Sequence, residues 1–354
     1  MTRDSLLSIC INTRNRAGLL GETLDSLVGQ MIPGVEIVVL DGASEDNTSE
    51  LMSGYAAKYP FIRHVRSDEI VGIDEGYDLA VKHATGRYCW LMTDDDLIVE
   101  GALEQLVDRV RQEPDLIVMN MECFTKDFTL DLQQRFFKIH EDRAYFQDEF
   151  EQFLDEVGYG LAYIGCVVIK RSLWYEKDRT RFVGSYFIHV GVILGSTMIK
   201  KILFVHRPLI KYRSANSSWT ARSFEIWYFR WPELVWSFTH LSDGTRKSMA
   251  DRAPWRRPLT LLKSRAMGEY NTEIFRRYLS AESSAKTRLI SYMISKIPVT
   301  PLSLLLVVYC LIFKRSGLYT LYCLMMSSPY PILANSIIWI FGVKFPLARA
   351  PAVI

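Results

Sequence analysis

Short apolar runs alternate with amphipathic stretches through the first 120 residues. Leu6–Ile11, Val35–Leu40, Phe61–Val65, Tyr88–Met92 and Asp115–Met119 are of strand length and rich in Ile, Val and aromatic residues. Between them, Leu19, Leu20, Leu24, Leu27 and Val28 fall on one helical face. Glu50–Tyr59 suits a helix stopped by Pro60, and Asp74–His83 a shorter one closed by Gly86. Ala102, Leu103, Leu106, Val107 and Val110 mark a further amphipathic helix. Strands alternating with helices predict crossover units and an α/β fold with a mainly parallel sheet. Ligands in such folds bind at the carboxyl ends of the strands. Three polar segments follow predicted strands and therefore belong on that edge: Asn12–Arg16, Asp41–Thr48 and Asp94–Asp96.

Beyond Cys123 the periodicity weakens, with strands expected at Tyr163–Ile169 and Ile202–Val205. Phe224–Phe238 is crowded with aromatic residues, and Arg246–Arg265 is basic. From Ile297 to Val343 the only charged residues are Lys314 and Arg315, but Pro298, Pro301, Pro329 and Pro331 interrupt the run. A spanning helix needs ~20 uninterrupted apolar residues. A two-span hairpin would place Lys314 and Arg315 on the wrong side for the positive-inside tendency. In-plane attachment to a membrane surface beside the basic, Trp-rich stretch is the favoured reading; an apolar homodimer contact is the other. The predicted organisation is a domain over 1–220 followed by a helical, partly apolar region over 221–354.

At 354 residues, 49% hydrophobic and 23% charged, the chain can bury a substantial core. A net charge of +2 gives no footprint for nucleic acid. Six cysteines without a C-x-x-C pair read as reduced, mostly buried thiols. The first strand begins without a basic leader or long apolar region ahead of it, so a cytoplasmic location is expected.

The run Asp94-Asp95-Asp96 carries the chemistry. Three carboxylates at a strand end repel one another unless positive charge is present. Hard divalent cations take oxygen ligands and commonly bridge carboxylates to a diphosphate, which points to an enzyme acting on a nucleotide diphosphate with Mg²⁺ or Mn²⁺. The plain alternative is a solvated acidic turn before the helix near Glu100. Other positions have structural readings too. Thr13 and Asn15 suit a cap for the first helix, Asp41-Gly42 suits a turn, and Asp46 is read as a cap for the helix after it. Asp74 suits either a cap or a nucleotide contact.

Ile9-Cys10-Ile11-Asn12-Thr13-Arg14-Asn15-Arg16, Val38–Thr48 with its Leu40-Asp41-Gly42-Ala43-Ser44 core, and Ala84–Asp95 together resemble the motifs of family 2 glycosyltransferases of the GT-A, Rossmann-like fold. The resemblance covers about residues 5–220. It implies a nucleotide-sugar donor, with Asp41 accepting a hydrogen bond from a pyrimidine ring and Thr13, Asn15 and Arg16 lining the base and ribose pocket. Asp94 and Asp96 would hold the cation and ribose, with Asp95 near the sugar. Inverting members carry an acidic pair in the second half; here that place holds Ile188-His189. His189 could replace the missing base, since imidazole titrates near pH ~6.5, or the enzyme could retain anomeric configuration; a buried, hydrogen-bonded structural histidine is the plain alternative. The stretch Tyr186–Val190 resembles dideoxyhexose transferases of O-antigen assembly, the abequosyltransferase type. That resemblance implies a CDP-3,6-dideoxyhexose donor, retention, and a polyprenyl-diphosphate-linked oligosaccharide acceptor at the cytoplasmic face of the inner membrane. Arg213 suits a bidentate diphosphate clamp, His206 a metal ligand, and Ser217-Ser218-Trp219 a lid. The alternatives are an inverting UDP- or dTDP-sugar transferase and a non-catalytic nucleotide-sugar-binding scaffold.

Overall fold

A computed structural model describes residues 5–216, 222–313, 317–327 and 339. Its centre is a sheet whose strands are β1 (Leu7–Thr13), β2 (Val35–Asp41), β3 (Ile62–Arg66), β4 (Tyr88–Met92), β5 (Leu97–Ile98), β6 (Leu116–Phe124), β7 (Asp131–Gln133), β8 (Arg143–Phe146), β9 (Val167–Lys170) and β10 (Lys201–Arg213). The principal order is β3-β2-β1-β4-β9-β6-β10-β5. Strands β3, β2, β1 and β4 are mutually parallel, with Cys10 beside Val38 on one flank and Leu91 on the other. The four carboxyl ends therefore share an edge. Beyond β4 the pairing turns antiparallel, through β9 to both β4 and β6.

The central strands are apolar throughout because helices cover them. Every residue of β4 is buried, and β1 and β2 nearly so. Helices α1 (Ala17–Val28), α2 (Thr48–Lys58), α3 (Ile73–His83) and α4 (Ala102–Val110) return between strands. Leu20, Leu24 and Leu27 of α1, with Leu103, Leu106 and Val110 of α4, pack on one sheet face with Ile9, Ile37 and Trp90. Helices α5 (Phe150–Val157), α6 (Arg171–Trp174) and α7 (Ile188–Gly195) follow.

The predicted strand at Tyr163–Ile169 is mostly not a strand. Gly158–Ala162 and Ile164–Cys166 form 3₁₀ turns, and extended pairing begins only at Val167. Gly160 and Gly165 allow that compaction, since a Cβ on either would collide with the Phe137 or Tyr163 ring. Gly86, at the entry to β4, is similarly constrained. A Cβ there would lie 2.7 Å from the Ser8 backbone nitrogen and 2.9 Å from the Leu7 carbonyl carbon. Gly86→Ala should therefore cost about 1–3 kcal/mol, read as a loss of several degrees in Tm with secondary structure retained.

Two compact units emerge. One comprises Met1–Glu122, Arg135–Tyr212 and Leu234–Ala250; the other comprises Cys123–Gln134, Arg213–Glu233 and Asp251–Ile354. The sequence reading divides the chain once, near residue 220; the compact units interleave instead. Within the first, Thr245 donates to Glu151 at 2.9 Å, which ties the helix Asp243–Met249 to α5. The second has its own core of Phe224, Tyr228, Leu261, Tyr270, Leu279 and Ile294. Among the described residues no disulfide joins the six cysteines, and all but Cys323 are buried.

Candidate active site

The turns after β1, β2 and β4 are tied to one another. Gly42 N–H donates to the Thr13 carbonyl at 3.0 Å. The Asn15 N–H donates to Ser44 Oγ at 2.9 Å, and Asn15 Oδ1 accepts from Glu45 N–H at 2.7 Å. Asn15 (φ 55°) and Ala43 (φ 60°) both hold the left-handed region. Asn tolerates it, whereas Ala there stores about 1 kcal/mol of strain that the surroundings must hold. Asp46 Oδ2 accepts from Ala17 N–H and its Oδ1 from Thr48 N–H, so it caps the first turns of both α1 and α2.

The triplet sits where these turns meet. Thr13 Oγ1 donates to Asp94 Oδ2 at 2.7 Å. Arg16 places Nε 3.4 Å from Asp94 Oδ1 and Nη2 2.5 Å from Asp95 Oδ2. Tyr163 O–H donates to Asp96 Oδ2 at 2.6 Å, joined there by the Thr93 hydroxyl. Below, Thr23 donates to the Asp96 carbonyl and Tyr77 to the Met92 carbonyl, which pins the turn to α1 and α3. Burial pushes Asp94 up to about 6, with Arg16 and Thr13 pulling the other way and Asp95 adding to the rise. The acidic turn is not solvated: Asp94 and Asp96 are buried. Tyr163 and Thr93 were not legible as site residues. Tyr163 reaches Asp96 only because the chain before β9 winds into 3₁₀ turns.

Asp41 is fully buried at the end of β2. It accepts from Ser44 N–H (2.8 Å), Ser49 Oγ (3.1 Å) and Arg66 Nη1 (2.5 Å). Burial alone would raise its pKa; the donors from Ser44, Ser49 and Arg66 outweigh that and keep it below the ordinary carboxylate range. Asp74 is placed differently. Its carboxylate accepts three backbone N–H groups, from Gly184 (2.8 Å), Tyr186 (2.8 Å) and Ile188 (3.0 Å). It fixes the turn entering α7, including Tyr186 at φ 73°, instead of standing open to a nucleotide.

Three expected roles meet other surroundings. His189 is 1% exposed, with Nε2 2.7 Å from the Leu161 carbonyl and no hydrogen-bond partner for Nδ1. Burial lowers its pKa to about 4, against a small rise from the Leu161 carbonyl. An enclosed ring whose basicity burial has lowered that far is poorly suited to take a proton from an acceptor hydroxyl, which counts against the general-base expectation and fits a buried structural histidine. Arg213 is 5% exposed; Nη1 donates to the Lys126 carbonyl at 2.7 Å and the guanidinium lies 4.3 Å from the Phe128 ring centroid, all within the second unit. Those contacts hold the guanidinium against the Cys123–Gln134 segment. His206 Nδ1 lies 2.7 Å from Asp142 Oδ1. Among the described residues no three His, Cys, Asp or Glu side chains form a metal-binding group, so Asp94, Asp96 and His206 do not make one. Ser217, Ser218 and Trp219 lie outside the described residues.

The His189 assignment has a pH signature. With a folded pKa near 4 and an unfolded value near 6.5, the unfolded chain binds the extra proton between those pH values. The His189 contribution to stability is complete above pH ~6.5 and is lost as pH falls toward 4, about 3 kcal/mol in all. His189→Gln should lose less Tm than the parent on acidification from pH 7 to 5. An equal loss in both proteins would remove this account.

Residues 8–174 match glycosyl transferase family 2. That segment is a family 2 glycosyltransferase domain. The chain is 26% identical over 230 residues to an abequosyltransferase of Salmonella typhimurium, an alignment covering 60% of this chain and 68% of that protein. It is 20% identical over 236 residues to the glycosyltransferase GlyG of Streptococcus pneumoniae, covering 64% and 76%. Among solved structures, S. aureus TarS 1–349 in complex with UDP superposes with a TM-score of 0.54 at 13% identity, covering 98% of this chain and 94% of that one. At that identity the likeness concerns the fold, which is GT-A. The glycosyltransferase motifs at Asn12–Arg16, Asp41–Thr48 and Asp94–Asp96 thus fall in the matched segment and, in space, on one sheet edge.

Proposed function

We propose that this glycosyltransferase moves a 3,6-dideoxyhexose, CDP-abequose or a close relative being the donor, onto a polyprenyl-diphosphate-linked oligosaccharide during surface polysaccharide assembly, with retention of anomeric configuration. The work would take place at the cytoplasmic face of the inner membrane. The observation that carries the donor class is the similarity to an abequosyltransferase over most of that protein's length. The surroundings of His189 support retention over inversion: where an inverting relative would need a base, this chain has a buried imidazole held near pKa 4.

Among the described residues the side chains at the β4 edge do not by themselves complete a metal shell, so a hard divalent cation there would rely on donor oxygens for the rest. Asp94, Asp95 and Asp96 offer only oxygen, the ligand type a hard divalent cation takes, and Arg16 lies 3.4 Å from Asp94 and 2.5 Å from Asp95. Mg²⁺ or Mn²⁺ held by Asp94 and Asp96, with diphosphate oxygens completing the shell, would neutralise the leaving nucleoside diphosphate. Thr13 and Arg16 orient the Asp94 and Asp95 carboxylates, and Tyr163 orients Asp96. The Asn15–Ser44 link would form the base-side wall, with buried Asp41 holding the turn behind it through Ser44.

Calorimetric titration with CDP, UDP and dTDP in the presence of Mn²⁺ tests the donor. CDP should bind at least tenfold more tightly than the others, and EDTA should abolish the difference. Equal weak binding of all three would remove the CDP assignment. NMR of the product anomer separates retention from inversion.

A further inference from the structure

Two helices of the second unit carry an exposed apolar face besides the one they bury, which includes Ile294, Val307 and Leu311. In Ala285–Lys296, Ser291 and Ser295 are buried, whereas Leu289 is 62% and Met293 60% exposed, with Tyr292 beside them. In Val299–Phe313, Ser303 is buried while Leu305 is 68% exposed and Tyr309 and Ile312 follow it outward. The outward positions recur at 289, 292, 293 and at 305, 309, 312, each one face of a helix. Scattered exposed apolar side chains are ordinary; consecutive stripes of them with hydroxyls turned inward are not.

The flanking charge has one sign. From Ala285 to Phe313 the sequence holds Lys286, Arg288 and Lys296 and no acidic residue. Lys286 and Lys296 bracket the Leu289–Met293 stripe one turn away on either side. A second copy of the chain would face this arrangement with the same positive charge. An anionic surface complements it.

Geometry distinguishes lying on a bilayer from crossing it. The helices have 12 and 15 residues, which at 1.5 Å per residue gives about 18 and 22 Å, short of the ~30 Å hydrocarbon core. Their axes turn through 96° at the break between them, so the lengths do not add. Among the described residues no single helix is long and apolar enough to span.

We propose that the Leu289–Met293 and Leu305–Ile312 faces dock this protein flat onto an anionic phospholipid surface, with Lys286, Arg288 and Lys296 at the headgroup level. The apolar stripes supply depth and the cations supply lipid preference. The proposal deepens the membrane-face part of the functional reading and is independent of donor identity.

Flotation of the full-length protein with vesicles of phosphatidylcholine alone or with 30% phosphatidylglycerol tests it. The parent should float with the anionic vesicles at least tenfold better than with neutral ones. A Leu289→Ser, Met293→Ser, Leu305→Ser triple variant should lose flotation at least tenfold, while its nucleotide affinity by calorimetry and its Tm stay near the parent's. Lys286→Glu with Lys296→Glu should erase the lipid preference. Undiminished flotation of the triple variant would overturn the proposal. So would a parent that does not float but elutes as a dimer, with the triple variant a monomer. Loss of CDP binding would defeat the donor assignment and leave the flotation result standing.

Discussion

Asp94→Asn should abolish sugar transfer and leave the protein as stable as before, or more so. The carboxylate lies buried between the Thr13 hydroxyl and Arg16, and burial lifts its pKa to about 6. Its unfolded value is near 3.8, so the folded chain binds the extra proton between pH 3.8 and 6. The stability tied to that proton is complete below pH ~3.8 and is lost as pH rises through 6. At pH 7 the ionised group therefore costs the fold about 3 kcal/mol. Asparagine keeps an oxygen for Thr13 and removes the charge. The same substitution withdraws an anionic ligand from the proposed cation site, where one such group is worth roughly 100- to 1000-fold in rate. Transfer measured by mass detection should fall by at least that factor, with Tm at pH 7 unchanged or raised by a few degrees. A variant that keeps turnover within tenfold of the parent would show that the triplet does not hold the cation.

The second large effect concerns Asp74. Three backbone N–H groups converge on its carboxylate from Gly184, Tyr186 and Ile188. Removing a buried acceptor strands its donors at about 1–3 kcal/mol each, although some will find water. Asp74→Ala should therefore lower stability by about 3–5 kcal/mol and free the strained Tyr186 backbone. Asp74→Asn should fall between the two, because its amide nitrogen cannot accept. If the residue acts by holding this turn, calorimetric affinity for CDP will survive in Asp74→Asn while Tm drops. Intact Tm with lost CDP binding would restore Asp74 as a donor contact.

The parallel half of the fold was legible because each of its strands is a short apolar run closed by a turn residue. The predicted Tyr88–Met92 strand is β4 to the residue, and the helix expected at Ala102–Val110 is α4. Convergence of the three motif segments followed from that topology, and the Thr13–Asp94 and Asn15–Ser44 bonds realise it. Side-chain partners across long separations were not legible. Arg16 reads in sequence as a pocket residue and in space as the counter-charge to Asp94 and Asp95. Nothing local marks Asp74 as an acceptor for residues 110 to 114 positions away. The base reading of His189 rests on its place opposite the family's acidic pair; its burial follows from the helix Ile188–Gly195 around it, which is otherwise apolar and sunk in the core.

The interleaving of the two units bears on how the gene can be shortened. A fragment ending at residue 220 would discard Asp243–Met249, whose Met249 side chain lies against Gly158 and whose Thr245 grips Glu151. It would also keep Cys123–Gln134 while deleting most of the unit to which that segment belongs. Such a product carries every motif of the nucleotide edge and still exposes two raw seams. Clones meant to isolate the catalytic portion should retain residues through at least 250, and insolubility of shorter ones would reflect the cut and not the chemistry.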